Sequence, residues 1–273
     1  MSAADYVFDN SDSIASQRLQ ALAEIFDPVT RSCLERTGIA PGWSCWEVGA
    51  GYGTVAEWLH QRVAPDGRVL ATDLDPRFLA RLAQHNLRVM RHDIVDGPMP
   101  KESFDLIHAR LLLCHLPARE QVLDRMIAAL KPGGWLVIED FDGLSVQPDP
   151  TLSSVEKPLR SSAAVRDLLV SAGADIRFGR RVPGLLRARG MSDIRTEGRV
   201  LMSDAALFRT FQRLTFEQVQ DELLARGLVS PEELAQDFAT LEQGHTALLP
   251  MMWSVAARRP TAAEARNDGR SAT

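Results

Sequence analysis

Three glycines at alternate positions, Gly49, Gly51 and Gly53, follow the apolar run Cys45–Val48 and precede a helix-forming stretch that starts at Thr54. This spacing lets a strand turn sharply into a helix, and it lets a ligand approach backbone with no Cβ atoms in the way. Glu47, just ahead of the first glycine, suits a ligand carrying a positive charge better than a pyrophosphate. Asp73 lies at the end of a second apolar run, where a carboxylate could hold both hydroxyls of a ribose. A third run, Leu87–Ile94, also ends in acid, at Asp93. The chemistry these residues predict is binding of a nucleoside-bearing ligand. No nucleophile–base pair stands out.

The elements needed to position these residues can be read along the chain. The first 40 residues have a polar start and then an amphipathic helix, with Ile14, Leu19, Leu22, Ile25 and Phe26 roughly on one face. The glycine loop leads into a helix with Val55, Trp58, Leu59 and Val63 on one side. Strands are expected at 68–75, 87–94 and 103–108, a helix at 117–130, and a fifth strand running to Glu139. After Pro148 and Pro150 come a helix over 152–172 interrupted by Pro158, a short helix over 183–189 and a strand over 193–202. A long helix over 203–226 ends at Gly227, and Ser230-Pro-Glu-Glu233 is a capping box with proline at the first helical position. The last strand is expected at 250–258 and a flexible tail at 260–273.

Glu47 and the three glycines resemble motif I of the class I S-adenosylmethionine-dependent methyltransferases, E/D-x-G-x-G-x-G. Ser103-Phe-Asp-Leu-Ile-His108 resembles that family's fourth strand, and Leu130-Lys-Pro-Gly-Gly134 its turn into strand five. Matches in this order cover roughly Trp43 to Asp142, and they are most similar to bacterial methyltransferases acting on small molecules. The resemblance implies an α/β fold, a doubly wound seven-stranded sheet whose last strand runs antiparallel between strands five and six. It implies S-adenosyl-L-methionine as cofactor, held by Glu47, Gly49, Ala50, Gly51 and Gly53, with Asp73 and Leu74 at the ribose. Asp93 would bond the adenine amino group and Ile94 cover the ring, while Ala109 and Arg110 follow strand four beside the cofactor. Related enzymes close their N-terminal segment over the methionine end, which makes Tyr6 and Arg18 candidates, Arg18 by bidentate pairing with its carboxylate.

Each candidate has an ordinary structural alternative. Asp75 precedes Pro76 and reads best as a helix cap, which leaves Asp73 for the ribose. Arg110 could touch the cofactor through its backbone or pair with an acid. His115 lies where cofactor and acceptor should meet and could be a general base, or a half-buried histidine bonded to backbone. Asp140, with Glu139 and Asp142, ends strand five and could serve the acceptor or be a solvated loop acid. His115 and Asp140 are the catalytic candidates, and no metal ligands are expected.

The chain has 273 residues, a net charge of −5, 45% hydrophobic and 25% charged residues, ordinary values for a globular protein. The charge argues against a nucleic-acid substrate, and no apolar run approaches the ~20 residues that span a bilayer. The three cysteines lack metal-ligand spacing, and the first residues lack a secretory pattern, so a cytoplasmic location is expected. The expected organisation is an N-terminal helical lid over 1–40 and a methyltransferase domain over 41–259, with helical insertions at about 151–190 and 203–244. That lid and those insertions would cap a small, largely apolar acceptor in a monomer or homodimer. Two other functions compete: a cofactor-binding protein or cyclase on the same scaffold, and a nicotinamide dehydrogenase. The dinucleotide fingerprint G-x-G-x-x-G fits Gly49 and Gly51, but its third glycine falls on Thr54. After strand four, Ala109-Arg-Leu-Leu112 stands where base and glutamine amino-methylases carry an Asn/Asp-Pro-Pro-Tyr box.

Overall fold

The computed structural model describes residues 7–8, 13–99, 103–145, 159–200, 206–244, 249–261 and 263–264. Among these, Tyr6 and most of the tail are not included, so the expectations placed on them lie outside the described residues.

Seven strands form one sheet: β1 Ser44–Val48, β2 Arg68–Asp73, β3 Leu87–Arg91, β4 Phe104–Arg110, β5 Leu130–Asp142, β6 Ser192–Arg199 and β7 Met251–Arg258. Their order is β3-β2-β1-β4-β5-β7-β6. β7 pairs antiparallel with both β5 and β6, and the other pairings are parallel. The seven-stranded topology expected from the sequence is therefore the one observed. Strand pairing sets which side chains share a face, because neighbours in sequence point to opposite sides. Trp46, Val48, Ile107, Leu136, Ile138 and Val255 pack on one face under helices α3 (Arg119–Ala129) and α5 (Phe178–Ala188). Cys45, Val69, Ala71, Leu106 and Val137 pack on the other, under α2 (Thr54–Val63).

Four further helices and helix ends lie over the carboxyl ends of the strands or beside them. α1 (Ala15–Glu35) packs along α6 (Ala206–Ala225), and α6 packs along α4 (Arg160–Ser171) and α7 (Pro231–Glu242). The capping box that opens α7 is present: Glu233 N–H donates to Ser230 Oγ at 3.1 Å, and Ser230 N–H to Glu233 Oε2 at 3.0 Å. Apolar residues of α6 serve two neighbours. Phe216, Val219 and Leu223 face α4 and α7, while Phe208 and Phe211 join Leu22, Ile25 and Phe26 of α1.

Two expectations need correction. α5 is longer than the predicted 183–189 helix and lies on the sheet against β5, β6 and β7. It is thus the crossover helix to β6 and not part of a capping insertion. β3 ends at Arg91, which puts Asp93 and Ile94 in the turn beyond it; β4 extends to Arg110, two residues further than expected. Two short 3-10 turns, Pro76–Phe78 and Ala80–Leu82, connect β2 to β3, the first capped by Asp75 as expected.

Candidate cofactor and acceptor site

The glycine loop leaves β1 and lies against β2. Gly49 and Ala50 N–H both donate to Thr72 O at 2.9 Å, and the three glycines have φ of 68°, 53° and 87°. At Gly53 the need for glycine is double, since a Cβ would sit 2.4 Å from Leu82 Cδ1 on a backbone of the left-handed region. Gly53→Ala is expected to destabilise the fold by about 2 kcal/mol, read as a lower urea midpoint at unchanged m value. Gly51 differs. A Cβ there would meet only Leu19 of α1, at 3.6 Å, so this glycine lies open towards α1.

Asp73 ties the loop together. Its Oδ2 accepts from Gly51 N–H at 2.9 Å and its Oδ1 from Asp75 N–H at 3.0 Å. A carboxylate has about four acceptor positions, so two remain for a ligand's hydroxyls. Burial raises its pKa, against the opposing effect of the two N–H donors. Asp93 Oδ1 accepts from Val95 N–H at 2.8 Å, closing its turn. Ile94 is buried in the core cluster on the α3–α5 face, as is Ala109. Leu74 is half-buried and its carbonyl accepts from Arg91 Nε at 3.0 Å.

Glu47 does not face the loop. Its Oε2 lies 2.7 Å from His108 Nδ1, and His108 Nε2 lies 3.3 Å from Glu139 Oε2. Glu139 also accepts from the hydroxyls of Thr30 on α1 and Ser254 on β7. The sheet register explains the row: Glu47 pairs with His108 and Glu139 with Ser254, all on the α1–α2 face. Burial works against an imidazolium at His108, but Glu47 and Glu139 outweigh it and push its pKa up to about 9. Burial likewise opposes ionisation of Glu139, yet the hydrogen bond and charge of His108 hold it below the ordinary range; at Glu47 burial dominates and the pKa is raised. His108 is therefore a buried cation between two acids. Sequence reasoning did not find this centre. The available signal was a polar residue at the inward position near the end of each of three otherwise apolar strands.

Arg110 continues the network towards α1. It donates to Thr30 Oγ1 at 2.8 Å and to Asp27 Oδ1 at 3.0 Å, so of its two expected roles the side chain takes the acid pair. Leu111 then adopts φ of 51°, unusual for leucine, and Leu112 lies beside Gly49.

Of the two catalytic candidates, Asp140 is 1% exposed. Its Oδ2 accepts from Cys114 N–H at 3.3 Å, and Oδ1 has no hydrogen-bond partner among the described residues. Burial pushes its pKa up to about 7. His115, half-buried, stands edge-on to Phe8 with ring centroids 6.4 Å apart. Burial, with Arg18 and Arg119 nearby, lowers its pKa to about 4, so it is neutral at pH 7. Arg18 is buried on α1, donates through Nε to Gln218 Oε1 of α6, and lies 4.2 Å from the Phe8 ring centre. Asp142 pairs with Arg180 of α5 and Glu139 with His108, and both are buried rather than solvated.

The pattern of residues 46–138 matches the family model described as a methyltransferase domain. Residues 46–138 thus form a methyltransferase domain of the class I S-adenosylmethionine-dependent type. S-adenosyl-L-methionine is the cofactor of this methyltransferase domain. Methyltransferase str2 of Strobilurus tenacellus is 38% identical over 152 residues, covering 52% of this chain and 50% of its own. The chain thus spans about half the length of the curated relatives it matches. Two solved structures share the fold. Phosphoethanolamine N-methyltransferase 2 of Haemonchus contortus, in complex with phosphomonomethylethanolamine and S-adenosylhomocysteine, is 17% identical with a TM-score of 0.60, over 94% of this chain and 60% of that one. The [4+2]-cyclase SpnF is 18% identical with a TM-score of 0.54, over 86% and 82%.

The residues of the methyltransferase domain fit that cofactor. Gly51 has backbone free of Cβ facing α1, and Asp73 keeps acceptor positions beside it. Among the described residues no helix is long and apolar enough to cross a membrane, and no three His, Cys, Asp or Glu side chains gather into a metal site.

Proposed function

We propose that the whole chain methylates a small, largely apolar organic acceptor at the carboxyl ends of β4 and β5 and the adjoining amino end of β7. One observation carries this reading: Phe208 and Phe211 of α6 and Phe26 of α1 pack with Leu111, Phe141 and Met252 at those strand ends. An apolar roof beside the glycine loop suits an enclosed acceptor better than a polymer, which needs an open and basic groove. The cofactor supplies an already activated methyl group. What remains for the protein is to hold the acceptor in line and exclude water, an orientation effect of several kcal/mol.

Where the acceptor must lose a proton, we assign Asp140 as the base, because a carboxylate near pKa 7 is both available and basic enough at neutral pH. His115, neutral and weakly basic, is assigned to hydrogen bonding in the same turn. In the cofactor site we assign Gly49, Ala50, Gly51 and Gly53 to the loop contacts, Asp73 and Leu74 to the ribose, Asp93 to the adenine and Arg18 to the methionine end.

Calorimetry tests the nucleoside reading. S-adenosylhomocysteine should bind with a micromolar Kd and NAD should give no heat. Comparable heats for NAD would return the chain to the dehydrogenase alternative. For the acceptor, a cofactor-bound crystal structure should show the transferable methyl facing an enclosed apolar pocket. A broad basic channel there would end the small-molecule reading.

A further inference from the structure

The lid helix α1 is held at one end by buried charge and covers the glycine loop with the other. Its C-terminal half carries Asp27 and Thr30, both buried. Asp27 accepts from Arg110 at 3.0 Å and from Arg31 at 3.3 Å; Thr30 accepts from Arg110 at 2.8 Å and donates to Glu139. Arg110 ends β4 and Glu139 lies near the end of β5, so the contact ties α1 to two neighbouring strands. About two helical turns towards its N-terminus, α1 lays Leu19 over Gly51 and joins Gln218 of α6 through Arg18. α1 runs continuously over that distance, through the internal Pro28, so its anchor constrains the angle at which the covering half meets the loop.

We infer that Arg110 and Thr30 are positioning residues that govern how long the cofactor is retained, by holding α1 closed over Gly51. The inference rests on the glycine loop as the cofactor site and adds to that reading the route by which the lid is held. The charges on the latch explain why it is specific. Arg110 lies 3.0 Å from Asp27 and 2.8 Å from the Thr30 hydroxyl, and Thr30 in turn donates to Glu139, which pairs with His108. Only α1 in its closed position supplies Asp27 to Arg110, and the guanidinium is almost wholly out of solvent when it does so. Losing that pair in an open state exposes or strands a charge. Arginine is suited to the task because its planar fork reaches two acceptors on different side chains, which a lysine ammonium cannot match.

The test uses the full chain with S-adenosylhomocysteine as probe. Removing Arg110 alone would leave the buried Asp27 paired only with the exposed Arg31, so the informative variant is Arg110→Gln with Asp27→Asn, compared with Thr30→Val. Stopped-flow fluorescence gives the rate of S-adenosylhomocysteine release, and hydrogen exchange without ligand gives the local opening of α1. The double variant should release the probe at least tenfold faster, with faster exchange confined to Ala15–Glu35 and the sheet amides unchanged. Arg110→Lys should recover only part of the slow release. Release within twofold of the native rate would overturn the inference, as would faster exchange spread across β1, β4 and β5. If the native chain does not bind S-adenosylhomocysteine, the cofactor reading fails and this inference fails with it. Unchanged exchange in α1 of the double variant refutes the latch while leaving the cofactor reading intact.

Discussion

Replacing His108 by leucine is expected to cost about 3–5 kcal/mol of folding stability. His108 is wholly buried between Glu47 at 2.7 Å and Glu139 at 3.3 Å. Leucine has a comparable size, so little of the loss comes from a cavity. The loss comes from two carboxylates left in the interior without their cation, only one of which keeps hydroxyl donors, from Thr30 and Ser254. Equilibrium urea unfolding measures it. A loss below about 1 kcal/mol would show that the carboxylates become protonated at little cost, and the buried cation would then be immaterial. Adding Glu47→Leu to the variant should recover part of the stability, because it removes the stranded acid; the two changes are coupled and their effects should not add.

The same group sets a pH dependence. An unfolded histidine titrates near 6.5, and in the fold His108 is held up to about 9. Its folded-state pKa is the higher of the two. The contribution is therefore complete below about pH 6.5 and is lost as the pH rises towards 9. Native protein should lose urea resistance across this window, and His108→Leu should lose distinctly less. Parallel curves for the two proteins would place the pH dependence elsewhere.

The parts of this fold that a sequence displays most clearly are those governed by local rules. The alternate glycines, the Asp75–Pro76 cap and the Ser230 capping box all depend on residues a few positions apart, and each lies at its expected place; the apolar strands keep their expected order, although β3 stops at Arg91 and β4 runs on to Arg110. The relay depends on register between strands distant in the chain. Glu47, His108, Glu139 and Ser254 become neighbours only once β1, β4, β5 and β7 are paired. For the same reason Glu47 reads from sequence as a ligand contact, since an acid before a glycine loop is a local pattern whereas its turn towards His108 is not. α5 was misjudged on another ground. Pro183 suggests a helix start, yet the helix begins at Phe178 and keeps the proline inside it. Gly179, the residue four before, packs against Asp140 O so closely that a Cβ would lie 2.3 Å away. Packing on the sheet decides that helix, and propensity does not.

Asp73→Ala should weaken S-adenosylhomocysteine binding by about 1.5–3 kcal/mol, the range for hydrogen bonds to a charged group. That is roughly a 10- to 150-fold rise in Kd at 1.4 kcal/mol per tenfold. Two effects contribute, and a second variant separates them. The carboxylate of Asp73 would accept the ribose hydroxyls, and it also accepts from Gly51 and Asp75 N–H, which fixes the loop before any ligand arrives. Alanine removes both roles. Asparagine keeps one oxygen and the shape of the side chain, so it can still accept from one of the two N–H groups, but it replaces the other acceptor by a donor. If direct contact with the ligand dominates, Asp73→Asn should be nearly as weak as Asp73→Ala while its thermal unfolding stays close to native. If loop fixation dominates, the asparagine variant should bind much better than alanine, and weak binding should accompany a lower Tm. An unchanged Kd in a folded Asp73→Ala protein would assign the ribose to a different acid. Asp75 would be the first to examine, although its side chain already accepts from the N–H of Arg77 and pairs with the Arg77 guanidinium at 2.7 Å.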